Sequence, residues 1–261
     1  MGVSKVLQSN RSVAALVDLL IEARGKGAKL TPEAIGNLVP QDGASADAVQ
    51  LAVAGRLGPI GGYKVLQVGD AAGAWSPILA ERIYEAPAAV GYFLSDLKIE
   101  AEVAFLFARD LPGKADGTPY SADEVGEAVE GAFVAFEILE TRLAAEPKPS
   151  PLLSRADFLS NWGLVRSAVS TDWSIRVHAN LAVRLEVGGR TVVDQKGGHP
   201  SGHPAHALTW LANALAAVGH PLKKGDVVTT GAFGGGHAIA RGETAIATID
   251  GFAPIRFALH G

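Results

Sequence analysis

Apolar positions recur at helical spacing through the first sixty residues and then gather into short runs separated by glycine and polar turns. Ser12 is placed to cap a helix running to about Arg24, stopped by Gly25 and Gly27. Thr31-Pro32-Glu33 opens a short second helix, and a third runs from Ala44 to Leu57 before Gly58-Pro59. From Tyr63 onward the spacing predicts strands at Gly62–Val68, Ile99–Ala108 and Val134–Leu139, and at Val177–Val187 paired through Gly188-Gly189 with Arg190–Val193. Asp226–Ala232 and Thr244–Phe257, the latter kinked at Asp250-Gly251, complete the strands. Two helices interrupt them, Ala122–Gly131 and a segment that starts at Pro204 and ends at Gly219. Helices first and strands later predict an α+β fold: an N-terminal helical cap over residues 1–60 on a strand-rich catalytic domain over 61–261.

Composition narrows the chemistry. Charged residues make up only 19% of the 261, the net charge is −4, and no block of like charge exists, which argues against nucleic acid and a polybasic membrane surface and for a small-molecule substrate. The absence of cysteine excludes disulfides, thiolate nucleophiles and cysteine metal sites. The apolar run Val13 to Ile21 is broken by Asp18, and no run reaches the roughly 18 residues of a spanning helix, so a cytoplasmic protein is expected.

The clearest chemical signal is Lys98-Ile-Glu-Ala-Glu-Val-Ala-Phe-Leu-Phe-Ala108. On a strand Glu100 and Glu102 share one face with Ala104 and Leu106, about 6.6 Å apart, while Ile99, Ala101, Val103 and Phe105 form the other. Both faces are apolar beyond the acids, so the pair is placed inward, where two like charges require a cation. An exposed strand end with two solvated glutamates fits the same spacing. Glu137 lies between Ala135 and Leu139 and repeats the pattern, although the surrounding AVEGAFVAFEILETRL can also be read with helical spacing. Three inward carboxylates suit Mg²⁺ or Mn²⁺, which take oxygen ligands and leave positions for water and a chelating substrate.

KIEAEVAFLFARDLP, AFEILETR and GHPAHALTWLANALAAVGHPLKKGDVVTTGAF together resemble the fumarylacetoacetate hydrolase superfamily, and within it the 2-keto-4-pentenoate hydratase and 4-oxalocrotonate decarboxylase branch. The resemblance extends to LTPEAIG and Gly62-Tyr63-Lys64 and covers nearly the whole chain. It implies a mixed β-roll or barrel-like body and a Mg²⁺- or Mn²⁺-dependent hydratase acting on a 2-hydroxy-2,4-dienoate or its 2-oxo tautomer in aromatic meta-cleavage catabolism. Decarboxylation or acylpyruvate hydrolysis by the same enolate chemistry, and a non-catalytic partner subunit, are the alternatives. Glu100, Glu102 and Glu137 match the family's metal ligands, and Lys64 and Asp157 its catalytic positions. Asn161 and Thr230 match substrate-binding positions. From the residues alone Lys64 also reads as a solvated lysine at a strand end. Leu66, Phe158 and His206 depart from the family pattern. The resemblance further implies a homo-oligomer or a complex with a related decarboxylase or hydratase.

Other motifs carry less. His199 and His203 sit in Gly-His-Pro turns that read as helix entries, and with His206 they offer a histidine metal site as the alternative. Gly231-Ala-Phe-Gly-Gly-Gly236 lacks the Lys-Ser/Thr of a phosphate loop, and no Gly-x-Ser-x-Gly elbow occurs.

Overall fold

In a computed structural model, which describes residues 3–69, 71–91 and 97–260, three helices precede two mixed sheets. Helix α1 (Val3–Lys26) runs unbroken through Ser12, so that serine caps nothing; the helix ends where Gly27 adopts φ +62° and the Ala28 amide returns to the Ala23 carbonyl. Thr31 caps α2 (Pro32–Ile35), and Asp42 forms a capping box with Ser45 at the start of α3 (Gly43–Leu57).

The first sheet is built from β1 (Ile60–Leu66), β2 (Ala74–Leu79), β3 (Ile83–Glu85), β5 (Lys98–Phe107), β6 (Val129–Leu139), β7 (Asn161–Arg166), β10 (Val227–Ala232) and β11 (His237–Ala238). Its strand order is β2-β1-β10-β5-β6-β7-β3, with β11 added on β5. The second sheet joins β4 (Ala88–Gly91), β8 (Ala182–Val187), β9 (Arg190–Lys196), β12 (Thr244–Ile249) and β13 (Ile255–His260) in the order β4-β13-β12-β8-β9. The remaining helices are α4 (Ala122–Gly126), α5 (Pro151–Ala156), α6 (Trp173–Arg176) and α7 (His206–Ala217).

Several boundaries differ from the sequence expectation. The helix expected to reach Gly131 is the single turn α4, because antiparallel pairing with β5 claims the chain from Val129 onward. The strand expected from Val177 begins at Ala182, after α6. Thr244–Phe257 is a hairpin of two strands, not one kinked strand. Strand β2 contains Pro77, which reads poorly as a strand; it is tolerated because β2 is an edge of the sheet, where a missing N–H breaks no ladder bond.

The two faces of the first sheet have different neighbours. Ile99, Ala101, Val103 and Phe105 pack with the second sheet and α7 in the main core, as Phe136 and Phe257 do at 6.3 Å between ring centroids. On the opposite face Ile78 of β2 meets Ala104, Phe133 and Leu164, which lie on three other strands, so the sheet curls around that face. This is the barrel-like body expected. Leu16, Val17 and Leu20 of α1 and Val49 and Val53 of α3 join Leu143, Leu153 and Phe158 in a separate apolar cluster, so the cap packs on α5 as well as on itself. Among the described residues no helix is long and apolar enough to cross a membrane.

Candidate metal centre

The curled face carries the carboxylates. Antiparallel register sets Glu100 directly opposite Glu137 and Glu102 opposite Ala135, and alternation turns all three acids to the same side. Carboxylate oxygens of Glu100, Glu102 and Glu137 lie within 4.8 Å of one another. Glu102 and Glu137 are buried, at 1% and 0% exposure, and Glu100 is half-buried toward the opening. The helical reading of the Glu137 segment is thereby excluded, as is the solvated strand end.

Such a cluster is electrostatically unstable on its own, since like charges directly opposite on paired strands repel. Burial, opposed by Lys64 and reinforced by Glu137, pushes Glu100 up to about 7. Burial together with Glu137 and Glu100 holds Glu102 well above the usual carboxylate range. Glu137 Oε2 is buried and accepts no hydrogen bond. Oxygen-only donors, mutual repulsion and an unpartnered carboxylate oxygen fit a hard divalent cation.

Around this triad the other groups are fixed by the strands. Lys64 of β1 places Nζ 2.8 Å from Glu137 Oε1, and the Asn161 amide donates to the same oxygen at 2.7 Å. Although burial pulls its ammonium down, Glu137, Glu100 and Glu102 together raise Lys64 above the ordinary lysine value. The Gly231 amide donates to Glu102 Oε2 at 2.9 Å. Gly231 has φ +121°, and a Cβ there would stand 2.6 Å from Pro200 Cγ, so this anchor requires glycine.

Asp157 lies elsewhere. Its carboxylate takes hydrogen bonds from Arg142 Nε at 2.6 Å, the Arg142 amide at 2.7 Å and the Thr141 hydroxyl at 2.9 Å. The pair is buried, and it anchors a turn in which Phe158, Leu159 and Ser160 all adopt positive φ of 58°, 48° and 68°. Three consecutive left-handed non-glycine residues cost roughly 1–2 kcal/mol each and persist only where surroundings over-determine them. The product of that strain is a pair of inward carbonyls: Phe158 O accepts from Ser76 Oγ at 2.8 Å and Leu159 O from Lys64 Nζ at 3.4 Å. The Phe158 ring itself packs in the cap cluster.

Thr230 donates its hydroxyl to the Val103 carbonyl at 3.3 Å. The threonine that shares the face of Lys64 is Thr229, in register with Lys64 on one side and Ala104 on the other, fully buried and with no hydrogen bond to its Oγ1. Strand alternation past the core valine Val228 was the signal for it. Leu66, two residues beyond Lys64 on the same strand face, is 48% exposed at the rim. The histidines cap turns: His199 Nδ1 accepts from the Ser201 amide at 3.2 Å and His203 Nδ1 from the Ala205 amide at 3.1 Å.

A profile of the fumarylacetoacetate (FAA) hydrolase C-terminal family matches residues 73–259. The chain belongs to this family. Among curated FAA hydrolase relatives it is 32% identical over 151 residues to 2-hydroxyhexa-2,4-dienoate hydratase of Comamonas testosteroni, covering 57% of this chain and 55% of the relative. It is 28% identical over 172 residues to 2-keto-4-pentenoate hydratase of Burkholderia vietnamiensis, covering 61% and 59%. The chain thus spans little more than half the length of the curated relatives it matches. In fold it is similar to 4-oxalocrotonate decarboxylase from Pseudomonas putida G7, complexed with magnesium and adipate, with a TM-score of 0.83, 20% identity and 96% and 98% of the two chains covered. Fumarylpyruvate hydrolase from Pseudomonas aeruginosa, in complex with Mn²⁺ and pyruvate, aligns with a TM-score of 0.56 and 15% identity over 76% of this chain and 88% of that one.

Proposed function

We propose that the protein is a divalent-metal-dependent hydratase that adds water to a 2-hydroxy-2,4-dienoate through its 2-oxo tautomer. The observation that carries this reading is the buried Glu100, Glu102 and Glu137 cluster beside a buried lysine. The hydratase relatives and the Mg²⁺ and Mn²⁺ complexes of structural neighbours support it.

Glu100, Glu102 and Glu137 would hold Mg²⁺ or Mn²⁺, and the ion when bound supplies Lewis-acid stabilisation of an enolate. Lys64 sets a cationic side chain against Glu137, and its ammonium neutralises the substrate carboxylate and delivers the proton that ketonises the dienol at its terminal carbon. Water then adds to the conjugated alkene, its oxygen to the β-carbon and its proton to the enolate carbon, so no other reactant is consumed. Asn161 fixes the Glu137 carboxylate, and Asp157 acts at one remove by holding the turn whose Leu159 carbonyl orients Lys64. Thr229 offers a free hydroxyl at the floor of the site for substrate or water. Decarboxylation of a vinylogous 2-oxo diacid uses the same enolate. Hydrolysis of an acylpyruvate needs a water-activating group as well, and no histidine precedes Glu100 in the chain to supply the family's paired base.

Side-by-side assay of 2-hydroxypenta-2,4-dienoate, 4-oxalocrotonate and acetylpyruvate with Mg²⁺ or EDTA tests the reading. Metal-dependent turnover of the dienoate above the other two is expected; preference for either competitor, or turnover indifferent to EDTA, overturns it.

A further inference from the structure

A second polar site lies outside the glutamate centre. A cavity of about 80 Å³ is lined by Arg24, Glu81, Arg82, Glu140, Arg142 and Trp162 beside Leu57 and Leu79. With about 30 Å³ per water molecule in the liquid, this space takes two to three waters or one small oxyanion, and no nucleotide.

The lining is rich in hydrogen-bond donors. Arg24 Nε and Nη2 and Arg142 Nη1 are buried and make no hydrogen bond, and the Arg142 side chain is only 1% exposed. Arg24 lies 3.6 Å from Asp157 Oδ1, too far for a hydrogen bond, because Arg142 has taken that oxygen. Two of the guanidiniums lie over aromatic rings, Arg24 over Phe158 at 4.5 Å and Arg82 over Trp162 at 4.2 Å from Cζ to the ring centroid. A guanidinium engaged through its face on a ring has its N–H groups left for a planar or tetrahedral acceptor. Counted with Asp157, which pairs with Arg142 behind the lining, the three arginines balance Glu81, Glu140 and Asp157, and Glu81 is a rim residue, 60% exposed.

We propose that this cavity binds one small oxyanion, a carboxylate or a phosphate-like group, held by the N–H edges of Arg24 and Arg142 with Arg82 at the opening. Burial and the like charge of Arg142 pull the Arg24 guanidinium below its ordinary value ahead of the opposing pull of Asp157 and Glu140, and a bound anion relieves that imbalance. The site adjoins the turn described above, since Arg142 Nη2 donates to the carbonyls of Asp157 and Asn161.

The test is thermal unfolding of EDTA-treated protein titrated with inorganic phosphate, sulfate or acetate against sodium chloride at matched ionic strength. At least one oxyanion is expected to raise Tm saturably, by about 5 °C at a hundredfold excess over its Kd. The phosphate and sulfate arms against the acetate arm distinguish a tetrahedral ligand from a carboxylate. Arg24→Gln is expected to weaken the apparent affinity at least tenfold and Arg82→Gln, at the rim, by a smaller factor; the second variant decides the matter if the first does not fold. No saturable rise beyond chloride, meaning that water alone fills the cavity, or unchanged affinity in the variants that fold, overturns the proposal.

Discussion

Lys64 Nζ and Glu137 Oε1 meet at 2.8 Å although their strands, β1 and β6, are separated in the sheet by β10 and β5. Three strand spacings in a flat sheet amount to about 14 Å. The contact therefore reports the curl of the sheet as much as the ion pair. Removing the lysine leaves a buried carboxylate uncompensated, which costs about 3–5 kcal/mol. Lys64→Met is expected to lose that much stability in EDTA by urea unfolding, to regain part of it in Mg²⁺, and to lose at least a hundredfold in turnover.

Thr229 separates stability from activity. A buried hydroxyl without a partner carries a desolvation penalty of about 1–3 kcal/mol, and Val has nearly the same shape. Thr229→Val is expected to raise the Tm of the protein while lowering kcat/KM about tenfold, and Thr229→Ser to keep most of the activity. A variant that is both more stable and fully active assigns the hydroxyl no part in the reaction.

Asp157 makes the opposite prediction. Its carboxylate is consumed by Arg142 and Thr141, so Asp157→Asn is expected to destabilise by about 3 kcal/mol or more through the exposed need of Arg142. Calorimetry then finds metal affinity within a few-fold of wild type, because the glutamates are untouched. A stable variant with abolished turnover instead puts Asp157 in contact with substrate.

His199 predicts an acid limit. Burial first, and then the neighbouring His203, pull it down from 6.5 to about 4, consistent with an Nδ1 that must stay unprotonated to accept the Ser201 amide. Between these values the unfolded chain binds more protons than the folded one, so stability falls as pH drops from about 6.5 to 4, by about 3 kcal/mol in all. His199→Gln is expected to flatten the Tm against pH profile over that interval; a profile parallel to wild type places the acid sensitivity elsewhere.

Period-two alternation places Glu100 and Glu102 on one face, whereas the apolar neighbours of Glu137 turn it inward only if the segment is a strand, which the competing helical spacing leaves open. Alternation is a local property, however, and the pairing of Glu100 with Glu137 across two strands is not. Arg142 illustrates the limit: a charged side chain reads as surface until its partner Asp157, fifteen residues on, is folded against it. The positive φ run at Phe158 to Ser160 carries no glycine or asparagine to announce it, because tertiary contacts and not local preference hold it. Thr230 matches the family pattern, whereas the orphaned hydroxyl on the Lys64 face belongs to its neighbour Thr229, which strand alternation turns to the side opposite Thr230. Strands β2 and β7 were missed for similar reasons, the first carrying a proline and the second a glycine in a polar, aromatic run.

The central claim is that Glu100, Glu102 and Glu137 form a single divalent-metal site. Calorimetric titration of the EDTA-stripped protein with Mn²⁺, run beside Glu102→Gln, tests it most directly. One Mn²⁺ per chain in the wild type and an affinity at least a hundredfold weaker in the variant are predicted; no stoichiometric binding in the wild type, or equal binding in both, contradicts the account.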